Sequence, residues 1–146
     1  MSRKQAGSSQ KDKNMNYTND VSVLDKLDLN GFFVGWPNPP SNSVFKKMLK
    51  QSYKVFLAYE NEKLIGFVNC ISDGVLSAYI PLLEVLPEYQ GQGIGQELVR
   101  KIQQDINHLY MVDLLCDEDL IPFYEKLGMM RATGALLRNY DRQNGE

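Results

Sequence analysis

The stretch Gln90-Gly91-Gln92-Gly93-Ile94-Gly95-Gln96 has the composition of a turn that can hold an anion. An apolar run broken only by Glu84 ends at Pro87 just before it, and a helical pattern starts at Ile94. Glycines let the main chain approach a bulky anion and take positive φ where needed. The first N–H groups of a helix have no partner inside it, and together with the helix dipole they suit a pyrophosphate. Two other phosphate loops are excluded. The dinucleotide fingerprint needs G-x-G-x-x-G, but position 96 is Gln, and no Gly-Lys-Ser/Thr follows as in a Walker A loop. Taken alone, the turn reads equally well as a glycine-rich bend without a ligand.

Glu84 is the second residue that could do chemistry. It is a carboxylate among Leu82, Leu83, Val85 and Leu86. A partly buried carboxylate has a raised pKa and can take a proton directly or through water. A strand residue that faces solvent or pairs with a lysine is the other reading. His108 is the single histidine, so His triads and His-rich metal sites are excluded by count, and no metal is expected. Cys70 and Cys116 match no metal-ligand spacing and read as plain core residues in a reducing, cytoplasmic setting.

The elements that position these residues can be read from the pattern. Residues 1–14 are polar and cannot offset their ordering entropy by burial, so disorder is expected there, with Met15 a candidate natural start. Residues 15–146 are expected to form a single domain. Residues 21–34 suggest a short helix or strand. Pro37, Pro39 and Pro40 forbid helix and mark a stiff loop. Ser41 or Ser43 can cap a helix running to about Ser52. Residues 54–59 and 64–71 read as a hairpin across a polar turn, and Asp73-Gly74 is a second turn signal. Residues 75–86 read as one long apolar strand with Pro81 inside it, which implies an edge or a bulge. Ile94, Leu98, Ile102 and Ile106 recur at helical spacing. Residues 109–115 return to strand. Leu120 to Leu127 form a short helix with Asp119 at its N-cap and Gly128 as a left-handed cap. One or two last strands are expected in residues 129–139. The order implies an α/β (α+β) fold, a mixed sheet with helices on both faces.

Composition narrows the function. The formal net charge is −2, which disfavours a nucleic-acid binder. No apolar run approaches the roughly 18–20 residues that span a bilayer, and the N-terminal stretch lacks the apolar region of a secretory signal.

The glycine turn is not isolated. Tyr124 stands twenty-nine residues after Gly95, in Phe123-Tyr124-Glu125-Lys126-Leu127-Gly128-Met129. Gln90-x-x-Gly93-x-Gly95, after a strand ending in Val85-Leu86-Pro87, resembles the acetyl-CoA pyrophosphate loop of the GNAT superfamily of N-acetyltransferases. The Tyr124 segment resembles that family's tyrosine-bearing helix and its following glycine. The resemblance covers roughly residues 44–132. Gly35-Trp36-Pro37 with the YQGQGIG turn also resembles a GNAT branch that includes plant plastid serotonin acetyltransferases.

The family resemblance implies a mostly antiparallel sheet of about six to seven strands, splayed between the fourth and fifth. It implies acetyl-CoA as co-substrate, contacted by Val85, Leu86, Gln90, Gly91, Gln92, Gly93, Ile94, Gly95 and Gln96. The reaction implied is transfer of acetyl to a primary amine of a small molecule by direct attack, with a peptide amine or a non-catalytic acyl-CoA-binding module as alternatives. Alkylamines have pKa near that of Lys, about 10.4, and must lose a proton, whereas the departing thiolate, with a pKa of about 8.5, gains from one. The resemblance assigns the oxyanion donor to the Val85 backbone N–H and the general acid to Tyr124. Glu84 and Asp117 are the two candidate bases. The family often has Asn where Asp117 stands, so Asp117 either contacts the cofactor or helps deprotonate the amine. Phe32, Phe33 and Trp36 either wall an amine pocket or pack in the core. A homodimer is possible by analogy with similar folds.

Overall fold

The structure is a computed structural model, and it describes residues 15–146. The disorder expected over residues 1–14 lies outside the described residues. Six strands form one sheet: β1 (Asn16–Thr18), β2 (Lys54–Glu60), β3 (Lys63–Ser72), β4 (Ser77–Tyr79), β5 (Leu83–Val85) and β6 (Met111–Asp113). The sheet order is β1-β2-β3-β4-β6, with β5 also on β3. All pairs are antiparallel except β4 with β6, which is parallel. The expected mixed, mostly antiparallel sheet flanked by helices is the one observed.

Helix α1 (Asn42–Gln51) begins where Ser41 Oγ accepts the N–H of Val44, the first of the two caps expected from sequence. Its Phe45 and Leu49 cover one face of the sheet, with Leu57, Leu64 and Phe67. Helix α2 (Ile94–Asp105) covers the other face. Its stripe of Ile94, Leu98 and Ile102 packs on Ala58, Val68, Val85 and Leu86. β3 lies between these two cores, so most of its residues are buried, as in a central strand covered on both faces. Fully burying each such aliphatic side chain stabilises by roughly 1.5–3 kcal/mol. Among the described residues, no helix is long and apolar enough to cross a membrane.

The long strand read over residues 75–86 is in fact two short ones. Proline has no N–H to donate, and the ladder breaks around Pro81. Before the break, β4 pairs with both β3 and β6, and the Ile80 N–H still reaches the Asp113 carbonyl at 2.9 Å. After it, β5 pairs only with β3. A gap therefore opens between β5 and the continuation of β6.

Two expectations fail locally. Residues 129–139 form no strand. Asp119 is not a helix N-cap. It sits inside a 3-10 turn (Glu118–Leu120) that leads into α3 (Ile121–Glu125), which has Pro122 in its first turn and no side-chain cap.

Candidate active site

The gap between β5 and β6 has main chain exposed on one wall. Leu86 N–H donates to the Ile65 carbonyl at 2.9 Å, and Asn69 N–H donates to the Leu82 carbonyl at 3.2 Å. Backbone groups alternate direction along a strand. The main chains of Leu82, Glu84 and Leu86 therefore turn to β3, and those of Leu83 and Val85 turn to the gap. Of the two residues expected at the strand end, Val85 presents its N–H to the gap and Leu86 does not. The Val85 carbonyl is taken by the Gln90 side-chain amide at 3.0 Å, which ties the glycine turn to the strand.

The turn is built as an N-terminal cradle. Gly91 and Gly93 have φ of +78° and +83°, where any other residue would be strained. A Cβ on either would meet nothing within 4 Å, so the space before them is open. The first cap bond of α2 is Glu97 N–H to the Gly93 carbonyl at 3.1 Å. The amides of Ile94, Gly95 and Gln96 precede it and are bonded to no backbone carbonyl among the described residues. The backbone N–H of Gln90 bends back to Pro87, leaving Gln90 as a brace of the turn rather than a donor into it. Free amides at the head of a twelve-residue helix and main chain unobstructed by side chains are what a diphosphate needs, so these residues fit coenzyme A.

Gly95 is where the motifs meet. A Cβ built on it would stand 3.7 Å from Val85 Cγ2 and 3.8 Å from Phe123 Cζ, both ordinary contacts. Phe123 in turn packs edge-on to Tyr124 with ring centroids 4.9 Å apart. The strand end, the turn and the tyrosine helix thus converge. The last turn after α3 is fixed by Met129 N–H to the Tyr124 carbonyl at 3.1 Å and by Gln103 Nε2 to the Leu127 carbonyl at 3.0 Å, with Gly128 at φ +87°.

Tyr124 is only 9% exposed. Burial, and then the neighbouring Cys116, pushes its phenol up to about 12, so it holds its proton through the neutral range. Cys116 is itself pushed up, first by burial and then by the charges of Asp117 and Asp119. Asp117 lies exposed at the head of the 3-10 turn and makes no side-chain cap bond.

Glu84 has a different setting. Its Oε1 accepts the N–H of Phe33 at 2.9 Å, and its Oε2 faces the N–H of Val34 at 3.4 Å. Phe33 has φ of +59°, a costly conformation for a bulky residue, and Glu84 holds it there. Phe33 is buried against Phe45 and Trp36, each at 4.9 Å between centroids. Phe32 packs on Phe45 and Phe67, so of the two readings open for Phe32, Phe33 and Trp36, packing against the core is the one observed. The Glu84–Phe33 link was not legible in the sequence. No local pattern marks a contact between residues 51 apart. A surface groove of about 660 Å³ beside α1, lined by Leu27, Asn42, Lys46 and Lys50, contains none of these residues.

Comparison with known proteins agrees with this arrangement. The model of the Acetyltransferase (GNAT) family matches residues 22–129. A crystal structure of a Deinococcus radiodurans R1 protein described as an acetyltransferase superposes with TM-score 0.85 and 42% identity, covering 90% of this chain and 92% of that one. A GNAT family protein from Streptococcus pneumoniae superposes at TM-score 0.65 with 25% identity, covering 86% and 96%. "GCN5-related N-acetyltransferase 2, chloroplastic" of Arabidopsis thaliana is 33% identical over 132 residues, which is 72% of this chain and 50% of that protein. The chain spans about half to just under two thirds of the first curated relatives it matches. With the family model running through both the splayed strands and the tyrosine helix, the chain belongs to the GNAT family of acetyltransferases.

Proposed function

We propose that this chain is an acetyl-CoA-dependent N-acetyltransferase that acetylates a primary amine of a small molecule by direct attack. The observation that carries this is the Val85 N–H turned into the β5–β6 gap, beside the free amides of the glycine turn. Acetyl-CoA, when bound, supplies a thioester whose carbonyl oxygen gains negative charge as the amine attacks. In this reading the amides of residues 91–96 hold the diphosphate. The Val85 N–H donates to the thioester oxygen, and a donor of this kind is typically worth roughly 3–4 kcal/mol in the transition state. The Tyr124 phenol, protonated at neutral pH, gives its proton to the departing sulfur.

The amine must first lose a proton. Both Glu84 oxygens already accept backbone amides, so its role is to hold the Phe33–Val34 main chain. Asp117, exposed at the head of the 3-10 turn that leads to the tyrosine helix, is then the base that acts through water. Cys70 and Cys116 are free thiols, and the cytoplasm is the proposed location.

A peptide acceptor is the second reading, favoured by relatives named "Histone acetyltransferase TAP1" of Glycine max and "N-alpha-acetyltransferase 30" of Schizosaccharomyces pombe. A panel of small primary amines and short peptides, followed by thiol release, separates the two. Turnover of compact amines and none of peptides is the expected result. The reverse result transfers the function to peptides, and no turnover with either, despite acetyl-CoA binding, leaves an acyl-CoA-binding module.

A further inference from the structure

The groove beside α1 holds about 660 Å³ and shares no residue with the acetyl-transfer site. Lys46, Lys47 and Lys50 line it from the helix, and Leu27 and Leu29 line it from the facing segment. Lys46 and Lys50 are four residues apart, so they recur on one helix face about 6 Å apart along its axis. Both reach a single carboxylate oxygen of Asp25, at 3.4 and 2.9 Å. Lys47 makes no ion pair among the described residues. Asp28, the acid in the lining, is already matched. Its Oδ1 accepts the Asn30 N–H at 2.9 Å, and its Oδ2 stands 3.4 Å from Lys63 Nζ. Three ammonium groups thus face one carboxylate, on a chain whose formal net charge is −2. Side-chain bonds brace the groove at both ends. Asn42 donates to Asn30 Oδ1 at 2.8 Å at the head of α1, and Lys50 holds Asp25 near its foot. The Val44 and Phe45 amides are taken by Ser41, so the positive charge comes from the lysine row rather than from helix-end amides.

We propose that this groove docks an extended acidic segment of a partner protein, in which carboxylates alternate with apolar side chains. Charge and period select that occupant. Side chains on one face of an extended chain repeat every two residues, about 6.8 Å, which matches one step along the lysine row. The alternate side chains then meet Leu27 and Leu29, and the lysine stems add apolar wall. The ten residues of α1 span about 15 Å, room for about four or five residues of such a segment. A strip of charge along a helix suits a chain of carboxylates better than a single compact anion. The exposed pairs with Asp25 hold weakly, so a partner carrying several carboxylates displaces them. The inference does not depend on the proposed reaction.

Fluorescence anisotropy of the full chain with a labelled Glu-Leu-Glu-Leu-Glu peptide tests it. A labelled Gln-Leu-Gln-Leu-Gln peptide and inorganic tripolyphosphate serve as controls. The acidic peptide is expected to bind saturably at one site per chain. Its affinity is expected to fall at least about tenfold in the triple variant Lys46→Gln/Lys47→Gln/Lys50→Gln. It is also expected to weaken between about 0.1 M and about 1 M ionic strength, where the screening length shrinks from about 10 Å to about 3 Å. On the isotope-labelled wild-type chain, the peptide is expected to shift the amide resonances of residues 27–29 and 42–51. No binding of the acidic peptide overturns the proposal. So does equal binding of the glutamine peptide, an unchanged affinity in the triple variant, or amide shifts confined to other residues. Tripolyphosphate bound as tightly as the peptide also overturns it, because that marks a site for free polyanions. If the variant fails to fold, the wild-type shifts and the two controls still decide.

Discussion

Tyr124 carries the most specific expectation at the scale of single residues. Removing its hydroxyl in Tyr124→Phe is expected to lower kcat by about a hundredfold or more, the usual contribution of a positioned acid, while acetyl-CoA affinity is unchanged. A stopped thiol-release assay with parallel calorimetry reads both. The same residue sets an alkaline stability limit. Its folded pKa of about 12 lies above the ordinary tyrosine value near 10. Its stabilisation is therefore complete below pH 10 and is lost as pH rises toward 12, a change of about 2–3 kcal/mol. Denaturation across this range is expected to be flatter in Tyr124→Phe. The two carboxylates separate by kinetics. Asp117→Asn is expected to lower kcat at least tenfold, whereas Glu84→Gln keeps kcat and lowers the melting temperature by weakening the hold on the Phe33 main chain. The opposite pattern returns the base to Glu84. The places of Val85 at a strand end, of the glycines in a turn before a helix and of Tyr124 on a short helix were legible because they fall in motifs of fixed spacing. The occupation of Glu84 was not, since its partners lie across the sheet and Phe33 is an improbable residue for a positive φ.

At the scale of elements, the site depends on a strand that stops and a helix that starts. Gly93→Ala tests the second. Its φ of +83° is strained for any side chain, so stability is expected to fall by about 1–2 kcal/mol. Acetyl-CoA affinity is expected to fall at least tenfold, because the new methyl stands in the open space before the turn and the strain shifts its amides. An unchanged affinity on calorimetry would remove the turn from the binding site. Pro81 signalled the break in the long strand, and the lost N–H explains why the splay begins there. Helix α1 was legible from its serine cap, and α2 from its apolar stripe. Residues 129–139 were misread because the run has the apolar content of a strand, yet its main chain makes no ladder bonds and its side chains from 130 on stay exposed. Asp119 misled for a simpler reason: the chain tightens into a 3-10 turn before Pro122, moving the helix start past it.

For the molecule as a whole, two cores on opposite faces of one sheet hold the gap open, and a ligand that bridges its walls should stabilise the fold. Acetyl-CoA at about a hundred times its Kd adds roughly 2.7 kcal/mol by mass action. For a chain of this size that corresponds to a rise in Tm of roughly 5–10 °C. Acetate at equal concentration is expected to do nothing. The central claim, that the amides of the 91–96 turn and of Val85 receive acetyl-CoA, is tested most directly by titration calorimetry of the folded chain with that compound. The account predicts saturable binding at one site per chain, weakened in Gly93→Ala and retained in Tyr124→Phe. A folded, cooperative-melting chain that takes up neither acetyl-CoA nor coenzyme A would contradict it.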